Sequence, residues 1–95
     1  MNPKAKRLYE LIHEIYNQSA YPLSHVEKQA FFEAAKKLTN NQERISLIAY
    51  CLYPTVEKAA QSYQSYKELQ YLKKLLLKYR WKYYLGVVLP SAFIQ

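Results

Sequence analysis

Apolar residues recur at steps of three and four through four separate stretches, and each stretch is bounded by residues that start or stop helices. In the first, Leu8, Leu11, Ile12 and Ile15 mark one face behind Asn2 and Pro3. An Asn side chain caps a helix start well, and a proline ring has the φ that the first helical position needs. The pattern predicts a helix over residues 3–17, with a break in 18–23 where Pro22 turns Tyr21 away from helical geometry. Ser24-His25-Val26-Glu27 then forms a capping box, in which hydroxyl and carboxylate each accept a backbone N–H. It opens a second helix over 25–38, with Val26, Ala30, Phe31, Ala34, Ala35 and Leu38 expected to face inward. Its small alanines suit the close approach of a neighbouring helix.

Asn40 with Glu43 is expected to cap a third helix over 41–62, where Ile45, Ile48, Ala49, Leu52, Val56, Ala59, Ala60 and Tyr63 make the longest apolar stripe. Pro54 interrupts that stripe, since its ring clashes with the Tyr50 carbonyl and removes a donor, costing about 3 kcal/mol in a helix interior. A kink there, or a short break before Thr55, is expected. A second box, Ser65-Tyr66-Lys67-Glu68, opens a fourth helix over 66–85, and Gly86 offers a stop. Leu69, Leu72, Leu76, Tyr79 and Tyr83 form its core stripe, and residues 86–95 follow as an apolar tail.

One Gly and four Pro leave little material for hairpins, and Ala, Leu, Lys, Glu and Gln dominate the long segments. The fold class is therefore all-α. Three short connections make consecutive helices antiparallel, so the expected architecture is an up-down four-helix bundle forming one domain over residues 1–95. With 51% apolar and 22% charged residues, the chain has the composition of a globular domain able to build a single core.

Charge changes this picture in one place. The net charge is +7, but residues 1–66 carry eight basic and six acidic side chains, whereas residues 67–95 carry six and one. Such a field attracts anionic lipid, nucleic acid or an acidic protein surface without choosing among them. Opposite the core stripe of the fourth helix lie Lys67, Lys74, Lys78, Trp81 and Leu85, with Leu77 beside them. A solvated face has no need of Trp81. Either the tail, with Val87, Val88, Leu89, Ala92, Phe93 and Ile94, folds back over that ring, or the ring and the cations make a binding patch.

Candidate chemistry adds little. His13 and His25 have no second His at i+4 and no carboxylate cluster, so neither suggests a metal site. All seven acids are scattered Glu, better explained as caps and exposed pairs, and the single Gly excludes glycine-rich phosphate loops. Neither a catalytic constellation nor a cofactor site is expected. Cys51, the only cysteine, reads as a small buried apolar residue in a chain without internal disulfides, which suits a reducing cytosol. Residues 1–8 have basic residues but no apolar run behind them, so no secretory signal is read. The charge-free windows Ile45–Val56 and Tyr83–Gln95 have twelve and thirteen residues, short of the roughly twenty a spanning helix needs. Eleven Tyr and fourteen Lys or Arg keep a nucleic-acid-binding module open as an alternative, as is a generic helical adaptor. Nucleic acid is disfavoured, because Tyr79 and Tyr83 fall on the core stripe and no helix-turn-helix signature is visible.

The segment Lys4-Ala5-Lys6-Arg7-Leu8-Tyr9-Glu10-Leu11-Ile12-His13-Glu14-Ile15-Tyr16-Asn17 resembles the first helix of immunity proteins for pediocin-like (class IIa) bacteriocins, the enterocin A immunity group in particular. The likeness continues through Phe31 to Leu38, reappears at Ile45-Ser46-Leu47-Ile48-Ala49-Tyr50-Cys51-Leu52-Tyr53 and again from Tyr66 to Leu77. It covers about residues 4–85 and is one of pattern, length and segment order, without a short invariant motif.

The resemblance implies an antiparallel four-helix bundle in the cytosol, at times peripheral at the inner face of the membrane. Its implied role is to protect a producing cell from its own pore-forming peptide. The implied partner is the membrane permease of the mannose phosphotransferase system when a class IIa bacteriocin has engaged it, with peripheral contact to anionic lipid. The C-terminal half is implied to choose which peptide is resisted. On that half Lys74, Lys78, Arg80, Trp81, Lys82 and Tyr84 are the expected partner-binding residues, cations toward an anionic surface and rings at the interface. With no lipidation signal or second anchor, long attachment to a bilayer alone is not expected.

Overall fold

The computed structural model describes residues 2–40 and 44–94, with side chains in the latter stretch as far as Trp81. Four helices follow one another: α1 (Pro3–Tyr16), α2 (His25–Asn40), α3 (Ile45–Ser62) and α4 (Lys67–Ile94). The local signals at the first two starts act as their chemistry requires. The Asn2 side-chain oxygen accepts the Ala5 N–H at 2.8 Å, with Pro3 at the first helical position. At α2 the Ser24 N–H donates to the Glu27 carboxylate at 2.8 Å while the Glu27 N–H donates to the Ser24 hydroxyl at 3.1 Å.

The later boundaries depart from the sequence reading. Asn40 is the last residue of α2, and α3 starts at Ile45 behind Arg44, which makes no side-chain cap bond; Glu43 lies outside the described residues. α3 carries through Pro54 without a break before Thr55, one of the two outcomes expected there. Pro54 and Tyr50 are both exposed, so the proline ring sits on the outer face of the helix. α4 begins at Lys67 and not at the Ser65 box. The Ser65 hydroxyl lies 3.3 Å from the Tyr21 hydroxyl, and the Tyr66 carbonyl accepts the Gln70 N–H. Gly86 does not end the helix, which continues to Ile94, so residues 86–94 are no separate tail and do not fold back. A lone glycine costs about 1 kcal/mol in a helix but forces no stop.

Contacts run around a ring, α1 to α2, α2 to α3, α3 to α4 and α4 to α1, the arrangement of a four-helix bundle. Its antiparallel sense is read from the contacts. Lys4 lies over the Tyr79 ring while Tyr21, just past α1, stacks on Tyr66; Gln70 reaches Ala60 while Arg80 lies over Tyr53. Phe31, Leu8, Ile12, Ile15, Leu69, Leu72, Leu76 and Val56 are fully buried at the centre. Two inward assignments fail: Val26 is 74% exposed and Cys51 is exposed.

One end of the bundle is closed by tyrosines. Tyr21 stacks on Tyr66 at 4.3 Å and meets Tyr63 edge-on at 5.4 Å, while the Tyr63 hydroxyl donates to the Pro22 carbonyl at 2.7 Å. The Gln70 side-chain amide donates to the carbonyls of Ala60 and Tyr63 at 2.9 and 3.1 Å, serving an acceptor that the end of α3 leaves open and sharing the Tyr63 carbonyl with the Tyr66 N–H. Tyr66 is buried and no partner reaches its hydroxyl with good hydrogen-bond geometry; burial, then the carboxylates of Glu68 and Glu14, push its pKa up, while the nearby Gln18 side chain acts in the opposite direction. A buried hydroxyl left unpaired costs stability, so Tyr66→Phe is expected to raise the melting temperature, by roughly 1 kcal/mol of added stability in thermal unfolding. A lowered melting temperature would mean that the hydroxyl is served after all.

Candidate docking face

The outward side of α4 is built by the same periodicity that buries its core. Because Leu69, Leu72 and Leu76 are held inside, residues displaced by about half a turn must face out. Lys67, Lys74, Leu77, Lys78 and Trp81 are accordingly exposed, Trp81 by 56% and Leu77 by 44%. Lys74, Leu77, Lys78, Arg80 and Trp81 line one shallow, open groove of about 540 Å³. Four of the six residues singled out from the sequence thus share one surface. The side chains of Lys82 and Tyr84 lie outside the described residues.

Arg80 differs from its neighbours. Its guanidinium carbon stands 4.0 Å from the centre of the Tyr53 ring on α3, and the Tyr53 hydroxyl donates to the Glu57 carboxylate at 3.1 Å. Burial, and then the bond to Glu57, raise the Tyr53 pKa, with Arg80 acting in the opposite direction. Arg80 therefore ties α4 to α3 at the rim of the groove, while Lys74 and Lys78 keep their charge toward solvent.

Two features of the surface escaped the sequence reading. On the α1 side of α4, Arg7 lies 5.1 Å from the centre of the Tyr71 ring and Lys4 lies 5.8 Å from that of Tyr79, so α1 extends the cationic and aromatic surface. Only the tertiary contact between α1 and α4 brings these residues together. The second feature is a largely apolar cleft of about 420 Å³ between α1 and α2, lined by Tyr9, His13, Tyr16, Phe31, Phe32 and Lys36 among others. Phe32 is 54% exposed there, and His13 stacks on Tyr9 at 6.1 Å.

Among the described residues no cluster of three or more His, Cys, Asp or Glu side chains could hold a metal ion, and no helix is long and apolar enough to cross a membrane. Cys51 borders a small groove between α2 and α3 with Ala30, Glu33 and Ile48. Its exposure predicts rapid alkylation of the native protein by iodoacetamide, followed by mass spectrometry; labelling only in denaturant would restore the buried reading. Comparison with protein-family models, with curated proteins and with solved structures finds no match to this chain.

Proposed function

We propose that this protein is an immunity protein that protects a cell producing a pore-forming, pediocin-like bacteriocin. In this reading it works from the cytosolic side by docking on the mannose phosphotransferase permease once the peptide has engaged it. The observation that carries the reading is the exposed run of cations and apolar side chains, Lys74, Leu77, Lys78 and Trp81, on the C-terminal helix of a four-helix bundle. The resemblance in segment order over about residues 4–85 supports it from the sequence side.

Docking of this kind is physically coherent. An occluding partner needs contact area and complementary charge, and performs no bond-making or bond-breaking. Lys74 and Lys78 supply a field toward an anionic surface, while Leu77 and Trp81 supply apolar area.

Expression of the protein in a bacteriocin-sensitive strain tests the reading. Survival in the presence of at least one pediocin-like peptide is expected. Unchanged killing by every such peptide would remove the proposal, and retention of the purified chain on duplex DNA, with a steep loss on added salt, would favour the nucleic-acid alternative.

A further inference from the structure

Most of the net charge is collected at one end of the bundle. In an antiparallel bundle the start of α1, the end of α2, the start of α3 and the distal half of α4 share an end. To that end α1 brings Lys4, Lys6 and Arg7, and α2 brings Lys37. Arg44 precedes α3, while Lys78 and Arg80 lie just before the midpoint of α4, Arg80 beside Tyr53 halfway along α3. Chain order gives the same end one acid, Glu43, and one further cation, Lys82. At the opposite, tyrosine-closed end each cation has a glutamate beside it in sequence: Lys28 with Glu27, Lys58 with Glu57, Lys67 with Glu68. Glu14, in the last turn of α1, adds a further acid to that end, and around the middle Glu10 and Glu33 stand against Lys36, Lys73, Lys74, Lys78 and Arg80. Of the net charge of +7, an excess of +5 therefore belongs to the end where α1 and α3 begin and +3 to the middle, while the tyrosine-closed end stands at −1.

The same end carries an apolar extension. The 28 residues of α4 span about 42 Å at 1.5 Å per residue, against about 27 Å for the 18 residues of α3. Gln70, in the first turn of α4, is bonded to the end of α3, so the two helices are level there and the excess length lies at the distal end. In sequence that excess is uncharged from Tyr83 to Ile94 and contains Leu85, Val87, Val88 and Leu89. Trp81, more than half exposed, stands where the cations give way to it.

We propose that this end docks end-on against an anionic phospholipid bilayer, with the ring of cations on the headgroups and the distal turns of α4 entering the interface. Charge complementarity selects the surface, and the uncharged helical extension is the second element that a basic patch needs for membrane association. Tryptophan at the boundary suits the headgroup depth. The proposal deepens the docking reading above by naming the surface met first, and it can hold whether or not a permease is the final partner.

The test uses the purified full chain and vesicles of phosphatidylglycerol mixed with phosphatidylcholine, compared with phosphatidylcholine alone, in a flotation assay. Binding is expected only to the anionic vesicles, with a blue shift of emission from Trp81, the sole tryptophan. Two triple variants remove the same charge from opposite ends. Lys4, Lys6 and Arg44 to Gln, all exposed, are expected to weaken binding by roughly a hundredfold. Lys28, Lys58 and Lys67 to Gln should change it far less.

Equal losses from both triples, no binding to anionic vesicles, or binding without a Trp81 shift would each overturn the proposal. So would retention on duplex DNA under conditions where anionic vesicles are not bound. Neither permease nor bacteriocin is present, so failure here leaves the protection assay to judge the immunity reading by itself. Should the first triple lower the melting temperature, Lys4→Gln with Lys6→Gln serves in its place, with a smaller expected loss.

Discussion

Truncation of Phe31 to alanine is expected to lower the stability of the bundle by about 3–5 kcal/mol, as measured by urea unfolding followed by circular dichroism. The ring is fully buried and also forms part of the wall of the cleft between α1 and α2. Its removal deletes a large apolar side chain and enlarges a space that already opens to solvent. Native domains hold roughly 0.05–0.15 kcal/mol per residue, so a loss of this size takes a large share of what 95 residues provide. The midpoint should therefore fall sharply while the slope of the transition stays nearly constant. A change below about 1 kcal/mol would show that the site collapses around the missing ring and that the core does not depend on it.

The second large effect is expected at Trp81. Because the ring is 56% exposed and the segment after it continues α4, Trp81→Ala should leave the melting temperature nearly unchanged. Protection in the sensitive strain should nevertheless fall, since an aromatic ring in a largely apolar groove is the type of residue that dominates an interface, at 2 kcal/mol or more, which is about thirtyfold in affinity. Lys78→Gln should reduce protection less, and its effect should shrink at high ionic strength, as expected for an exposed charge. A large loss of stability in Trp81→Ala would assign the ring a structural role and withdraw it from the proposed surface.

Features resting on three or four consecutive residues were legible in the sequence. Asn2 with Pro3 and Ser24 with Glu27 cap as expected because partners three residues apart find each other whatever the rest of the chain does. The box at Ser65 has the same local signature and fails, since stacking of Tyr66 on Tyr21 and the contact of Ser65 with the Tyr21 hydroxyl fix that turn from outside. Val26 was grouped inward through its i+4 relation to Ala30. It is nevertheless turned about 140° from Phe31, and a stripe followed in steps of four drifts off the buried face. Cys51 was read as buried from residue type alone, because free cysteine is usually buried; it stands off the apolar stripe of α3 and is exposed. At the candidate face, Lys74, Lys78 and Trp81 could be read from helical spacing alone. The cations of α1 over Tyr71 and Tyr79 could not, because no periodicity within one helix reports which neighbour lies beside it.

The bond from the Gln70 amide to the last carbonyls of α3 has a dynamic consequence. A helix end held by a side chain from the next helix cannot fray independently of it, so the final turn of α3 and the first turn of α4 must open as one cooperative unit. Backbone amides on both sides of the connection should then share a single exchange free energy. Replacing the Gln70 amide by a methylene stub would split that unit in two while leaving every buried leucine in place.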